Sequence, residues 1–422
     1  MSARALPGGG ALVAPLSLCQ HGGMTSTLRG FPATTAARAL IVTGAEMAQV
    51  AIAYELYVTT RDPLSLGLLG LAQFLPVLLF AIPAGQVGDR FPRKTTTLVT
   101  LTGMSLGLFA VLLIDRRNLY LVYALMFVLG TLRAFLGPAL AALVASLIPI
   151  HAVSRYSAIN SMLFCMAAII GPSIGGVLLA AVSVEFVYLV SASIVTGSVL
   201  IMAIVQAPRT EAGDKAQLSL STALDGLRFV WGRPVLFSAI AMDFVAVFLG
   251  GITALLPIFA IDVLHVGAPG LGVLRAAPAI GASMMALWLT LRPLRRRAGI
   301  ALLVCVAIFG LATITFGLST SFPLSLAMLA VLGAADMVSV VVRSALLQLL
   351  VPSEWRGRVA AVNAVFIGAS NELGEMESGV AARVMGPVAA VVVGGVGTLV
   401  VVAVIFLAVP ALWRIDSLDD LK

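Results

Sequence analysis

Apolar stretches of about twenty residues or more recur along the chain from Ala36 to Leu407, and the charged residues gather mostly in the short segments between them. At ~1.5 Å per residue a helix of that length crosses a ~30 Å hydrocarbon core. The pattern predicts twelve membrane-spanning helices, near residues 36–58, 64–87, 95–114, 119–147, 156–178, 184–206, 236–261, 269–291, 300–319, 323–351, 359–382 and 388–409. The chain therefore reads as an all-α integral membrane protein embedded in the lipid bilayer.

Composition strengthens this reading: 60% of the 422 residues are apolar and only 11% charged, outside the range of soluble domains. A net charge of +7 raises the question of a nucleic-acid partner. The Lys and Arg residues, however, form short clusters between spans rather than one basic face, so no nucleic acid is expected. Their distribution is instead a topology signal. Of the 26 Lys and Arg residues, the segments on one side hold 19 and the loops on the other hold Arg61, Arg116, Arg117 and Arg383, while Arg133, Arg275 and Arg343 lie inside spans. The positive-inside rule then places both termini in the cytoplasm. Three cysteines and three histidines, the latter all outside the spans, predict no metal, no cofactor and no enzymatic chemistry.

Residues 1–35, rich in Gly, Ala and Pro, are expected to be a flexible cytoplasmic tail, with Met24 an alternative start and 410–422 a second tail. The longest loop, 207–235, turns amphipathic through Leu220, Leu224, Leu227 and Trp231, as an interfacial helix joining two six-helix bundles at 36–206 and 236–409 would. An internal repeat supports the division. At an offset of 203 residues Pro149, Arg155, Ala158, Asn160, Gly171 and Gly176 fall on Pro352, Arg358, Ala361, Asn363, Gly374 and Gly379, and at 202 Gly70 and Pro76 fall on Gly272 and Pro278. These are parallel repeats, as in a transporter built of two similar bundles.

Between the second and third spans the chain reads Gly85-Gln-Val-Gly-Asp89-Arg90-Phe-Pro-Arg93-Lys94. This resembles the loop signature of the major facilitator superfamily, with Pro92 in place of that family's second glycine. Gly85 permits close helix approach, and Asp89 suits a latch across the half-to-half seam. Gly171-Pro172-Ser-Ile-Gly175-Gly176 resembles the superfamily's antiporter motif, with Ala158 and Ala167 standing where glycines are usual, and Arg133 with Gly137 resembles its intramembrane arginine signature. A narrower likeness lies in Asp225-Gly-Leu-Arg-Phe-Val-Trp-Gly-Arg-Pro234, Gly272-Val-Leu-Arg-Ala-Ala-Pro278 and Gly357-Arg358-Val-Ala-Ala-Val-Asn363. These are similar to the branch that includes the bacterial enterobactin exporter. The resemblance implies a major facilitator fold of two six-helix bundles and export of a siderophore-like or amphipathic small molecule, driven by protons.

Nine ionisable groups fall inside spans: Glu46, Arg133, Asp243, Arg275, Asp336, Arg343, Glu372, Glu375 and Glu377. Each costs roughly 2.5–3.5 kcal/mol on insertion scales, which calls for a partner or a role. Arg133 and Asp336, related by the 203 offset, are expected to face each other across a central cavity, with Arg343 on the face of Asp336. Asp243, a lone acid in an apolar stretch with no local cation, is the first proton-carrier candidate, followed by Glu46. Glu372 and Glu375 share a face as the outer alternative, Glu375 replacing Pro172 of the first repeat, while Glu377 points away to a hydrated mouth. The expected protein is a monomeric secondary transporter working by alternating access. Import or lipid flipping on the same fold, and a non-transporting membrane sensor, are the alternatives.

Overall fold

The computed structural model describes residues 21–148, 153–206, 220–292 and 297–414, and within these leaves the side chains of 21–29, Ile82, Asp89, Val153, Ser154, Arg155, Ser157, Ala158, 220–224, Ser353 and Ala361 undescribed. The described residues form helices and no strand. In the first half these are α1 (His21–Thr60), α2 (Pro63–Arg90), α3 (Arg93–Leu113), α4 (Leu119–Leu147), α5 (Val153–Ala181) and α6 (Val184–Ile204). A short α7 (Leu220–Trp231) follows, on the amphipathic stretch of the long loop. The second half holds α8 (Pro234–Leu249), α9 (Ile252–Ile258), α10 (Gly267–Leu291), α11 (Ala298–Leu318), α12 (Phe322–Leu350), α13 (Ser353–Met385), α14 (Pro387–Ala408) and α15 (Pro410–Trp413).

Local chemistry sets the helix starts. Asp62 and Asn118 cap α2 and α4 by accepting from the amides of Leu64 and Tyr120, each at 3.1 Å, and Ser183 caps α6 from Phe186. Pro63, Pro234, Pro387 and Pro410 begin their helices at positions whose N–H would have no intrahelical partner anyway. Eleven of the described helical segments are long and apolar enough to cross a membrane. The twelfth span of the fold is α13, equally long, whose Glu372, Glu375 and Glu377 lower its apolar content.

Two expectations need correction. The helix of the first span begins at His21, inside the segment expected to be a tail. Its extension is anchored by packing: Phe31 meets Tyr156 edge-on at 4.4 Å, and Gly30 lies against Leu147 and Val205. The seventh span, expected as one stretch, is broken at Gly250–Gly251 into α8 and α9 and ends in a π-helical turn, Phe259–Val263. Close backbone packing explains the break. A Cβ on Gly394 would overlap the Leu249 carbonyl, and one on Gly374 would stand 2.8 Å from that of Phe248, so α8 ends wedged against α14 and α13.

Within the first half α1 packs on α5 and α6, α2 on α4, and α3 on α4 and α6; in the second, α12 packs on α10 and α11, and α8 on α13 and α14. The halves join mainly through two helix pairs, α5 with α10 and α2 with α13. The repeat is visible in these joints. Gly176 meets Gly272, and its repeat mate Gly379 meets Gly67, one turn from Gly70, the mate of Gly272. Both contacts lie towards the same end of the bundle, beside the cross-half ion pairs Arg61–Asp262 (2.9 Å) and Asp62–Arg383 (3.6 Å).

Candidate functional site

Midway along the seam, charged side chains of the two halves face each other. Glu46 of α1 pairs with Arg275 of α10, Oε2 to Nε at 3.6 Å, and Arg133 of α4 approaches Glu372 of α13 at 4.0 Å. One turn further along α13, Glu375 presses on the first half: a Cβ on Gly70 of α2 would lie 2.7 Å from its Oε2. Gln73 of α2 donates to Gln49 of α1 at 2.9 Å, extending the polar layer. Arg133 keeps 65% of its side chain accessible although it sits halfway along a spanning helix. A guanidinium at that depth is costly in hydrocarbon, and Arg133 is turned to the seam, towards Glu372.

A second cluster is buried inside the second half. Asp243 of α8 forms an ion pair with Arg343 of α12, both nearly sealed from solvent at 7% and 3% exposure. Ser339, one turn before Arg343, donates to Asp243 Oδ1 at 2.9 Å. Asp336, a further turn back, lines a small cavity with Asp243, Ser339, Val306 and Phe309.

These contacts overturn one expected pairing and one expected isolation. Arg133 and Asp336 do not face each other: the long arginine reaches across the seam to Glu372, whereas the short Asp336 stays beside the pair in its own half. Asp243 is not without a cation, because Arg343 reaches it from a helix remote in sequence. The expected likeness of face between Asp336 and Arg343 is seen, both lying on the side of α12 turned to Asp243.

The glycine motif of α5 shapes the first cluster. A Cβ on Gly171 would meet the Thr43 carbonyl at 2.8 Å and Glu46 Cβ at 2.9 Å, and one on Gly175 would meet Met47 Cα at 3.1 Å, so both let α1 come close enough to place Glu46 at the seam. The carbonyl of Pro172 lies against Gly272. In the loop motif, Arg93 donates to the Ala142 carbonyl at 3.2 Å and Lys94 to that of Ala203 at 2.8 Å, tying the start of α3 to the ends of α4 and α6. Gly85 and Arg90 fall in the last turns of α2. The side chain of Asp89, the expected latch, lies outside the described residues. Glu377 borders a shallow, apolar-walled cavity of about 450 Å³ with Phe248, Met376 and Val380, turned away from Glu372 and Glu375.

Several contributors escape a reading of the sequence alone. Arg275 is visible as an intramembrane cation, yet nothing near it in sequence points to Glu46. Asp262, in the π-helical turn just past the expected end of the seventh span, accepts from both the Tyr57 hydroxyl and Arg61 across the seam. Arg116 joins Glu55 (2.7 Å) and Glu185, binding α1 and α6 within the first half.

The family model of the Major Facilitator Superfamily matches residues 34–374. The chain is 27% identical over 388 residues to the multidrug efflux pump Tap of Mycolicibacterium fortuitum, covering 86% of this chain and 92% of that one. It is 25% identical over 375 residues to the enterobactin exporter EntS of Citrobacter koseri, covering 87% and 88%. Among solved structures, a point mutant of the nucleoside transporter NupG superposes with a TM-score of 0.74 at 11% identity, covering 90% of this chain and all of that one. A bacterial homologue of the lysosomal transporter Spinster, inward-facing and occupied, gives 0.71 at 15% identity, covering 90% and 96%. Likeness at these identities speaks for the fold alone.

Proposed function

The chain belongs to the Major Facilitator Superfamily, and from that premise we propose that it is a proton-coupled exporter of amphipathic or siderophore-like small molecules. It is a multi-pass membrane transporter and not an enzyme. The observation that carries the proposal is the charge layer across the seam, in which Glu46, Glu372 and Glu375 meet Arg275, Arg133 and the Gly70 wall of the opposite half. Each carboxylate's charge bears on whether the halves attract. A proton on Glu372 or Glu46 cancels the charge that Arg133 or Arg275 pairs with, so proton binding and relative movement of the halves become one equilibrium.

The Lys and Arg distribution assigns both termini to the cytoplasm. The end closed by Gly176–Gly272, Gly67–Gly379 and Arg61–Asp262 is then the outer one, and the space between the halves beside Arg133 is read as a substrate cavity reached from the inside. In export, substrate enters this cavity from the inner side while the seam carboxylates are ionised. Protons arriving from outside later neutralise them and drive the return. The moving bodies are residues 36–206 and 236–409, with 207–235 the linker and the protein acting as a monomer. Asp243 keeps a supporting role: with Arg343 and Ser339 it braces α8 against α12, and Asp336 beside it is the remaining inner proton site. The export direction draws on what Tap and EntS are described as doing.

The test is purified protein in proteoliposomes holding a pH-sensitive dye, challenged with ethidium and with a catecholate siderophore. Substrate movement should carry protons the opposite way, and inverted vesicles should accumulate substrate when their lumen is acid. Transport without proton movement overturns the coupling, and accumulation only in right-side-out vesicles overturns the direction.

A further inference from the structure

All four tryptophans of the chain lie at one end of the second half: Trp231 closes α7, Trp288 stands in the last turn of α10, Trp355 in the first turn of α13, and Trp413 ends α15. Around α7 one of them, Trp355, forms a layered stack with Phe229 and two arginines. The Arg233 guanidinium lies 5.1 Å from the centre of the Phe229 ring, Phe229 stacks on Trp355 at 5.1 Å, and Arg358 lies 4.9 Å from the centre of Trp355. Aromatic rings thus separate two guanidiniums that would otherwise repel. Beside the stack, Trp231 is 67% exposed and stacks on Phe237 at the start of α8.

The helix is seated firmly. A Cβ on Gly226 would lie 3.0 Å from the Arg358 carbonyl, so this glycine lets α7 come down on α13, and Val230 is buried in the core of the second half. What α7 turns outward is cationic. Arg228, Arg233, Arg356 and Arg358 stand on this α7–α13 block against Asp225 and Glu354, and among the described residues none of these arginines makes a salt bridge. Arg356 spends its Nε–H on the Val351 carbonyl at 3.1 Å, whereas Arg233 and Arg358 lie on the rings. A guanidinium lying on a ring keeps its N–H edges free, and those edges match the oxygens of a phosphate. Exposed tryptophan next to such donors suits the headgroup level of a bilayer.

We propose that the Arg233–Phe229–Trp355–Arg358 stack, with Arg228, is a binding site for the phosphate headgroup of an anionic phospholipid. A headgroup phosphate held at either end of the stack sits at the joint between the linker helix α7 and the first turns of α13, the helix that bears Glu372 and Glu375. The inference stands on this surface and does not depend on the direction or coupling of transport.

The experiment measures quenching of tryptophan fluorescence in the full chain, reconstituted in phosphatidylcholine, by brominated phosphatidylglycerol and by brominated phosphatidylcholine. Phosphatidylglycerol should associate more strongly, by about fivefold for each arginine engaged. The R233Q/R358Q variant should bring the ratio close to that of phosphatidylcholine, while Arg117→Gln at the opposite end leaves it unchanged. Should R233Q/R358Q fail to fold, native mass spectrometry of the unaltered protein reads the same preference, as phosphatidylglycerol retained over phosphatidylcholine. Equal association of the two lipids, or an undiminished preference in a folded R233Q/R358Q protein, overturns the site. Competition by inorganic phosphate would assign it to a free anion and overturn the lipid.

Discussion

Gly176 of α5 and Gly272 of α10 press together so closely that a Cβ on the first would stand 2.8 Å from the Cα of the second. They join the two halves of the protein at a point where neither helix has a side chain to withdraw. The closed end of the seam therefore depends on the absence of two methyl groups.

Gly176→Val should hold this end apart. The added carbons meet backbone, the Ala268 carbonyl at 2.6 Å and Gly272, and overpacking of this kind costs about 1–3 kcal/mol, enough to reverse a two-state balance. Spin labels at Val182 and Val266 should report a longer distance than in the parent. An unchanged distance in folded protein would show that the contact does not set the state.

The ion pair between Arg61 and Asp262 should matter less. Its side chains are 56% and 41% exposed, and exposed pairs contribute about 0–1 kcal/mol. Arg61→Gln should shift the same label distance only slightly, and Asp262→Asn more, since Asp262 also accepts from Tyr57. An Arg61→Gln shift as large as that of Gly176→Val would contradict this order.

Asp243 and Arg343 form the costliest pair to break. Removing one partner strands a buried charge, at about 3–5 kcal/mol, whereas replacing both by apolar residues of similar size is often neutral. Asp243→Leu and Arg343→Met should each lower the melting temperature sharply, and the double variant should recover most of the loss. If Asp243→Leu melts like the parent, the brace is not where this pair acts.

The seam carboxylates should separate coupling from binding. Glu46→Gln and Glu372→Gln each leave an arginine of the opposite half without its counter-charge. Proton movement per substrate should fall by about tenfold or more, a coupling of ~1–3 kcal/mol, while ethidium binding in detergent changes far less. Normal proton flux in both variants at matched expression would pass the role to Glu375 or Asp336.

Legibility of the site in the sequence varied with the kind of feature. The α5 glycines and the unusual charges were visible because each departs from its surroundings: a charge among apolar residues, or a run of small residues inside a helix. Their partners were not. Asp243 and Arg343 are close in space and a hundred positions apart, and nothing in the residues around Asp243 announces a cation.

By itself the sequence determined the helices, their membrane character and the two-fold repeat, since these rest on length, hydropathy and spacing, which act within a segment. The tertiary structure decided the pairings, turning Arg133 to Glu372 rather than Asp336 and Arg275 to Glu46. It also broke the seventh span at Gly250–Gly251, where α8 ends against Gly374 and Gly394. The physical reason is that periodicity fixes how residues face relative to others on the same helix, but not how one helix is rotated against a helix far along the chain. That rotation is set by close packing at a few small residues, and it selects which charges meet.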